Sequence, residues 1–255
     1  MAERNFFSDA EIAAFERDGY VVVHGLYDTN AMADIAAWTD DIETRPETAG
    51  KWMKYFDESL TAPGMRILNR IENFCPYHDG FDHLMRRGEL PARVAELFGE
   101  AAVLFKEKIN FKLPGGDGFA AHQDVQAGWD AYAALHITAL ISVDTATSAN
   151  GCLEVAAGHH RRGIIGESWR PMAGEELDGV EFHALPTEPG DAVFFTSFTP
   201  HRSAPNLTDS ARRVLYITYN SHGAGDHRAQ YYADKRKSFP PDIERDPDKD
   251  YKFRV

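Results

Sequence analysis

The residues of this chain best equipped for redox chemistry are His122 and Asp124, separated by one residue, and His201 much further along. On an extended segment, residues i and i+2 project from the same side, so His122 and Asp124 would face one point while Gln123 turns away. With His201 they form a set of two imidazoles and one carboxylate. On one face of an octahedron that set leaves three positions open, as in the non-haem Fe(II) oxygenases. Two open positions suit a chelating 2-oxo acid and the third O2.

The triplet alone says little. With 11 histidines and 40 acidic residues in 255, chance would supply roughly two His-x-Asp/Glu matches. Its surroundings say more. A glycine-rich turn, Pro114 to Gly118, precedes it and a β-branched run at 135–143 follows it. His201 comes after Pro189-Gly190-Asp191 and the apolar run Ala192 to Phe195, and before Arg212-Arg213 on a further predicted strand. A guanidinium forks bidentately onto a carboxylate, and a nearby hydroxyl such as Ser203 would complete the grip. Taken alone, two adjacent arginines read more readily as solvated charges on an edge strand. A zinc hydrolase with the same three ligands and a bound water is the rival reading; it has no need of an arginine–serine clamp for a 2-oxo acid.

Other clusters read differently. His159-His160 are neighbours whose side chains point apart, which favours a surface or structural role. His78 and His83, with Asp79, Gly80 and Asp82, read as a solvated loop. Leu113 to Gly118 lacks the Gly-Lys-Ser/Thr of a phosphate loop and reads as a turn.

The elements that must position these groups follow from local patterns. Ser8 with Glu11 forms a capping-box signature for a helix that Gly19 ends, and Tyr20 to Val23 is a short strand. Residues 29–44 are an amphipathic helix and 91–97 another, closed by Gly99. From residue 101 the pattern turns to strands: 102–113, 135–143, 153–155, 192–195 and 214–219, separated by Pro-Gly and Asn-Gly turns. The expected fold is mainly β with flanking helices, a double-stranded β-helix of the cupin-like jelly-roll kind, in one domain spanning 1–255. Arg228 opens a helical stretch that gives way to a charged, proline-bearing tail.

Composition sets limits. A net charge of −13 disfavours a nucleic-acid partner. Two cysteines, Cys75 and Cys152, exclude a disulfide framework. No stretch has the apolar length of a membrane span, and the N-terminus lacks the apolar segment of a signal peptide, so a soluble cytoplasmic protein is expected. Oligomeric state is not legible.

Six ordered segments resemble the phytanoyl-CoA dioxygenase family of Fe(II)- and 2-oxoglutarate-dependent oxygenases. They are Phe15-Glu16-Arg17-Asp18-Gly19-Tyr20, His122-Gln123-Asp124, Asn150-Gly151-Cys152-Leu153, Gly158-His159-His160, Pro189-Gly190-Asp191, and His201-x-Ser203 with an arginine eleven residues past the histidine. The resemblance implies iron ligands at His122, Asp124 and His201, and O2 as co-reactant. It implies 2-oxoglutarate held by Arg212 and Ser203, with Asn110 and Thr138 as further contacts. Arg202 departs from the glycine that often follows this histidine. The stretch from Tyr219 to Asp242 is similar to bacterial members that hydroxylate 2-aminoethylphosphonate or its N-trimethylated form beside phosphorus. Another amine, a betaine or an acyl-CoA is the alternative substrate. For such a ligand the candidate contacts are the rings of Trp129 and Tyr132, through cation–π attraction, and the cations Lys108, Arg162, Arg202 and Arg213; Tyr55, Asn69 and Asn73 are looser candidates.

Overall fold

The computed structural model describes residues 6–251. The chain opens with α1 (Asp9–Asp18), β1 (Tyr20–Val23) and α2 (Thr29–Thr44), followed by the hairpin β2 (Met53–Glu58) and β3 (Arg66–Glu72). Helices α3 (Asp79–Arg86) and α4 (Glu89–Phe98) lead into β4 (Ala102–Lys112) and β5 (Phe119–His122). The remaining strands are β6 (His136–Ser142), β7 (Leu153–Val155), β8 (His183–Leu185), β9 (Ala192–Thr196), β10 (His201–Ser203) and β11 (Arg212–Ser221), before α5 (Arg228–Ser238).

The strands form two antiparallel sheets. A seven-stranded sheet has the order β1-β9-β6-β11-β4-β3-β2 and a four-stranded sheet the order β5-β10-β7-β8. This is the double-stranded β-helix expected from the sequence. Side-chain alternation explains the layering. On β11, Leu215, Ile217 and Tyr219 face the helices, joining Ile35, Ile42, Phe81 and Leu90 in the main core. Val214 and Tyr216 face the second sheet, packing with Leu140, Leu153, Val155, Val193 and Phe195. On β4 the alternation carries polar groups inward: Lys106, Asn110 and Lys112 are all buried, although their strand partners Ile109 and Phe111 form the opposite, apolar face.

The N-terminal signals give the elements they specify. Ser8 and Glu11 cap α1 reciprocally, and Gly19 ends it with φ +84°. The loop expected around His78 is instead helix α3, with the His78 ring accepting from the Phe81 amide. Gly80 lies in its first turn because a Cβ there would come within 2.5 Å of the Trp38 ring. Helix α5 is tied down by a buried ion pair between Arg228 and Glu107, with Asn73 accepting from the same guanidinium at 3.1 Å and Tyr232 bonded to the Glu107 carbonyl at 3.0 Å. Glu107→Gln would strand that guanidinium, and breaking such a pair typically destabilises by about 3–5 kcal/mol. A lowered denaturant midpoint with an unchanged slope is the expected result.

Candidate metal centre and pocket

Strands β5 and β10 run antiparallel with His122 directly opposite His201. Gln123 turns the other way, fully buried, donating to the carbonyls of Gly163 and Phe198 and accepting from the Ile165 amide at 2.7 Å. Those bonds fix the rotation of the chain between the two candidate ligands. Asp124 then starts a 3-10 turn, Asp124–Ala127. One donor atom from each of His122, Asp124 and His201 lies within 4.8 Å of the others, and all three residues are buried. The nearest approach of His201 Nε2 to Asp124 Oδ1 is 4.0 Å, too long for a hydrogen bond.

Each ring is oriented by its backbone. His122 Nδ1 donates to the Ala120 carbonyl at 2.7 Å and His201 Nδ1 to the Thr199 carbonyl at 3.0 Å. That tautomer leaves each Nε2 lone pair for an ion, an arrangement common around bound metals. Burial and the adjoining His201 ring push His122 down to about 3. Burial lowers His201 as well, against the pull of Asp124. Both imidazoles are therefore neutral at pH 7. Burial works against ionisation of Asp124, but His201, Lys108 and His122 outweigh it and hold the carboxyl below its usual range. Two neutral imidazoles and one carboxylate are the protonation states that metal binding requires.

Along the inner face of the large sheet, Arg212 pairs in register with Lys112, Val214 with Asn110, and Tyr216 with Lys108. Arg212 is 1% exposed, and its Nε and Nη2 have no hydrogen-bond partner among the described residues. The buried Asn110 Oδ1 is also without one. Buried polar groups of this kind, donors or acceptors, are costly unless a ligand meets them. An unpaired guanidinium edge fits the far carboxylate of a 2-oxo dicarboxylate, so the residues present suit that group as well as the metal. Ser203 is buried beside them, accepting from Lys112 Nζ at 2.7 Å. Thr138 lies inside too, its hydroxyl 2.9 Å from that of Thr218.

A second polar group lies toward β2, β3 and α5. Glu72, 1% exposed, is held by Arg70 Nε at 2.9 Å, Lys235 Nζ at 3.1 Å and Lys106 Nζ at 3.6 Å. Burial opposes its ionisation, yet Lys106, Lys235 and Arg70 keep it far below the ordinary carboxylate range. Lys108 is next to this cluster. Its ammonium makes no hydrogen bond or salt bridge among the described residues; it lies 4.8 and 5.8 Å from the ring centroids of Tyr216 and Phe119 and is attracted by Asp124 through space. Burial, with Lys106 and Arg70 nearby, lowers it to about 8. A cleft of about 560 Å3 opens to solvent past His122, Arg70, Tyr55, Asn69, Phe119 and Phe239.

Several expected contacts lie elsewhere. Arg213 points out of the sheet, paired with Asp144 at 2.9 Å and with Asp40. It cannot share the cavity with Arg212, because neighbours on a strand face opposite ways. Arg202 is exposed and paired with Glu154 at 2.8 Å, and Arg162 is an exposed partner of His159. Tyr132 donates to Asp234 of α5 at 2.9 Å. Trp129 is buried, and the cation over its ring is the protein's own Lys106, 5.3 Å from the centroid. Asn73 is spent on Arg228, and Asn69 on Asp57. The sequence reading passed over Arg70, Glu72, Lys106, Lys112, Tyr216 and Lys235. The alternation Lys106, Lys108, Asn110, Lys112 was the one available signal, and it looks the same as a solvated strand face.

The chain is similar to several known proteins. The family model described as phytanoyl-CoA dioxygenase matches residues 15–214. A protein named 2-aminoethylphosphonate dioxygenase, from the uncultured bacterium HF130_AEPn_1, is 40% identical over 97% of this chain and 94% of its own length. A methylphosphonate hydroxylase of Gimesia maris is 39% identical over 91% and 88%. Among solved structures, EctD from S. alaskensis with 2-oxoglutarate and 5-hydroxyectoine superposes with a TM-score of 0.74 at 20% identity, over 88% of this chain and 79% of that one. The epimerase SnoN in complex with Fe3+, alpha ketoglutarate and nogalamycin RO gives 0.70 at 22%, over 84% and 83%.

Proposed function

Because the chain belongs to the phytanoyl-CoA dioxygenase family, and is a 2-oxoglutarate-dependent iron dioxygenase, we propose that it hydroxylates a small organophosphonate at the carbon bonded to phosphorus. In this reading His122, Asp124 and His201 hold Fe(II), and Arg212, Ser203 and Asn110 hold 2-oxoglutarate. Iron so bound would activate O2, the oxidant: one oxygen atom would enter the C–H bond and the other would end in succinate as 2-oxoglutarate loses CO2. The protein's own task is to orient both organic reactants and keep water out.

The observation that carries the substrate class is the group of cations beside the candidate iron ligands. The cleft itself is lined by Arg70 and Arg245 with Asp57, Glu58 and Asp117; further in, Arg70, Lys106, Lys108 and Lys235 gather around two carboxylates, Glu72 and Asp124. Excess buried charge of one sign is unfavourable until a counter-ion enters. A phosphonate dianion is compact, multiply charged and rich in acceptor oxygens. Lys108, which makes no hydrogen bond or salt bridge among the described residues, is the group positioned to meet it, while Glu72 fixes the neighbouring cations in place. The names of the two relatives share the phosphonate group and differ in what is attached to it, in keeping with recognition centred on that end.

A succinate-release assay with Fe(II) and 2-oxoglutarate tests this. Methylphosphonate and 2-aminoethylphosphonate, with its trimethylated form, should stimulate succinate formation; ectoine, a betaine and an acyl thioester should not. Strongest coupling to a compound without phosphorus would overturn the substrate class. Lys108→Met should raise the phosphonate KM by about 100-fold, the range for removing one partner of a buried charged contact. The wild-type KM should also rise above pH 8 or so, as the Lys108 ammonium, lowered to about 8, loses its proton.

A further inference from the structure

Lys112 is an unusual residue to find inside a sheet. It is 3% exposed and sits at the inner end of β4, opposite Arg212. Its Nζ donates to Ser203 Oγ at 2.7 Å, to the Ala204 carbonyl at 2.5 Å and to the Gly151 carbonyl at 3.5 Å. An ammonium carries three N–H groups, and these three acceptors use all of them. The surrounding backbone is packed closely enough to require glycine. A Cβ on Gly151 would lie 2.1 Å from the Ala204 oxygen and 2.9 Å from Lys112 Nζ, and one on Gly118 would lie 2.4 Å from the Ser203 oxygen.

A hydroxyl has one proton and two lone pairs. With Lys112 donating to it, Ser203 Oγ is committed as an acceptor there, and its own O–H is left to donate elsewhere. The nearby Arg212 likewise has its Nε and Nη2 protons without hydrogen-bond partners among the described residues. Burial, with Arg212 close by, lowers Lys112 to about 7: two cations side by side in a dry site repel each other until an anion arrives between or beside them.

We propose that Lys112 is a positioning residue of the cosubstrate clamp, holding Ser203 so that its hydroxyl proton, together with the free edge of Arg212, is presented to the far carboxylate of 2-oxoglutarate. Lys112 itself has no N–H left for the ligand and acts through the serine. This rests on the assignment of Arg212 and Ser203 to 2-oxoglutarate made above.

The test is a double-mutant cycle read by equilibrium binding of 2-oxoglutarate without turnover, by calorimetry on Mn2+-loaded protein under nitrogen. Lys112→Met should weaken 2-oxoglutarate roughly 10–100-fold, the usual range for removing a partner that orients a ligand-holding group. Ser203→Ala should lose a similar amount, and the double variant should lose little more than either, because coupled residues are non-additive. Binding of 2-oxobutyrate, which lacks the far carboxylate, should be the same in all four proteins. Wild-type affinity in Lys112→Met overturns the proposal, and so does a double variant whose losses multiply. A parallel loss of 2-oxobutyrate binding also overturns it, by showing general damage to the pocket. If Lys112→Met does not fold, Lys112→Arg is the second variant: it should also weaken 2-oxoglutarate, as a guanidinium cannot reproduce the three-way contact, and unchanged affinity sinks the idea. Failure of the wild type to bind 2-oxoglutarate would instead reject the functional reading on which the proposal stands.

Discussion

Asp124→Ala should abolish turnover while leaving the fold in place. The carboxylate is the only anionic donor among the three candidate ligands. Without it, two neutral imidazoles must hold a divalent cation alone in a site that also faces Lys108. Removing even an orienting partner of a ligand typically reduces metal affinity or activity 10–100-fold, so loss of the ligand itself should exceed about 1000-fold. The variant keeps both strand pairings that build the site, since Asp124 forms no cross-strand hydrogen bond and lies just beyond β5. Iron content per chain and succinate release, beside an unchanged far-UV spectrum, check this. Undiminished turnover would reject the ligand set.

Arg212→Ala is the second large effect. In the folded protein the guanidinium is fully enclosed, and part of its edge awaits a partner. Truncating one partner of a buried, hydrogen-bonded charge pair costs about 2–5 kcal/mol, which corresponds to roughly 30-fold to several thousand-fold in affinity. The loss should fall on 2-oxoglutarate and spare the phosphonate, whose cations lie on β3, β4 and α5. Arg213→Ala is the internal control. Its ion pairs with Asp144 and Asp40 lie outside the sheet, so stability should fall slightly and the KM for 2-oxoglutarate should not move. A drop in phosphonate affinity alone in Arg212→Ala would require a different clamp.

How much of this was legible in the sequence varies with the physics involved. The iron-ligand candidates were, from the His-x-Asp spacing read together with its flanking turn and strand and the later His201, although Asp124 lies in a 3-10 turn just past β5 and not on the strand itself. Arg212 and Arg213 were distinguishable only by spacing and alternation, and the choice between them needed to know which side of β11 is hollow. The strands β2 and β3 were missed altogether. Their sequences, Met53–Glu58 and Arg66–Glu72, mix charges with apolar residues, and charge ordinarily signals solvent. Here Arg70 and Glu72 satisfy each other inside the protein, so a strand that reads as exposed is buried. Lys106 and Lys112 were overlooked for the same reason. Periodicity reveals that a strand has a polar face but not whether that face meets bulk water or a cavity. Trp129 was read as a surface for a ligand cation; the lysine that occupies its face comes from β4, a long-range pairing that local pattern does not encode. Helix α3 was hidden by its ends: a histidine in place of the usual serine or aspartate cap, and a glycine demanded by the Trp38 ring.

The facing of His122 and His201 across β5 and β10 has a consequence for how the protein comes to maturity. The two histidines meet only when strands distant in the chain have found their register, so little of the site can exist before the barrel closes. Non-local pairings of this kind form late and slowly. Once they form, the Ala120 and Thr199 carbonyl oxygens orient the two rings. Strand pairing thus sets the positions of both rings, and the expected effect of a chelator is an empty but folded protein that can be recharged.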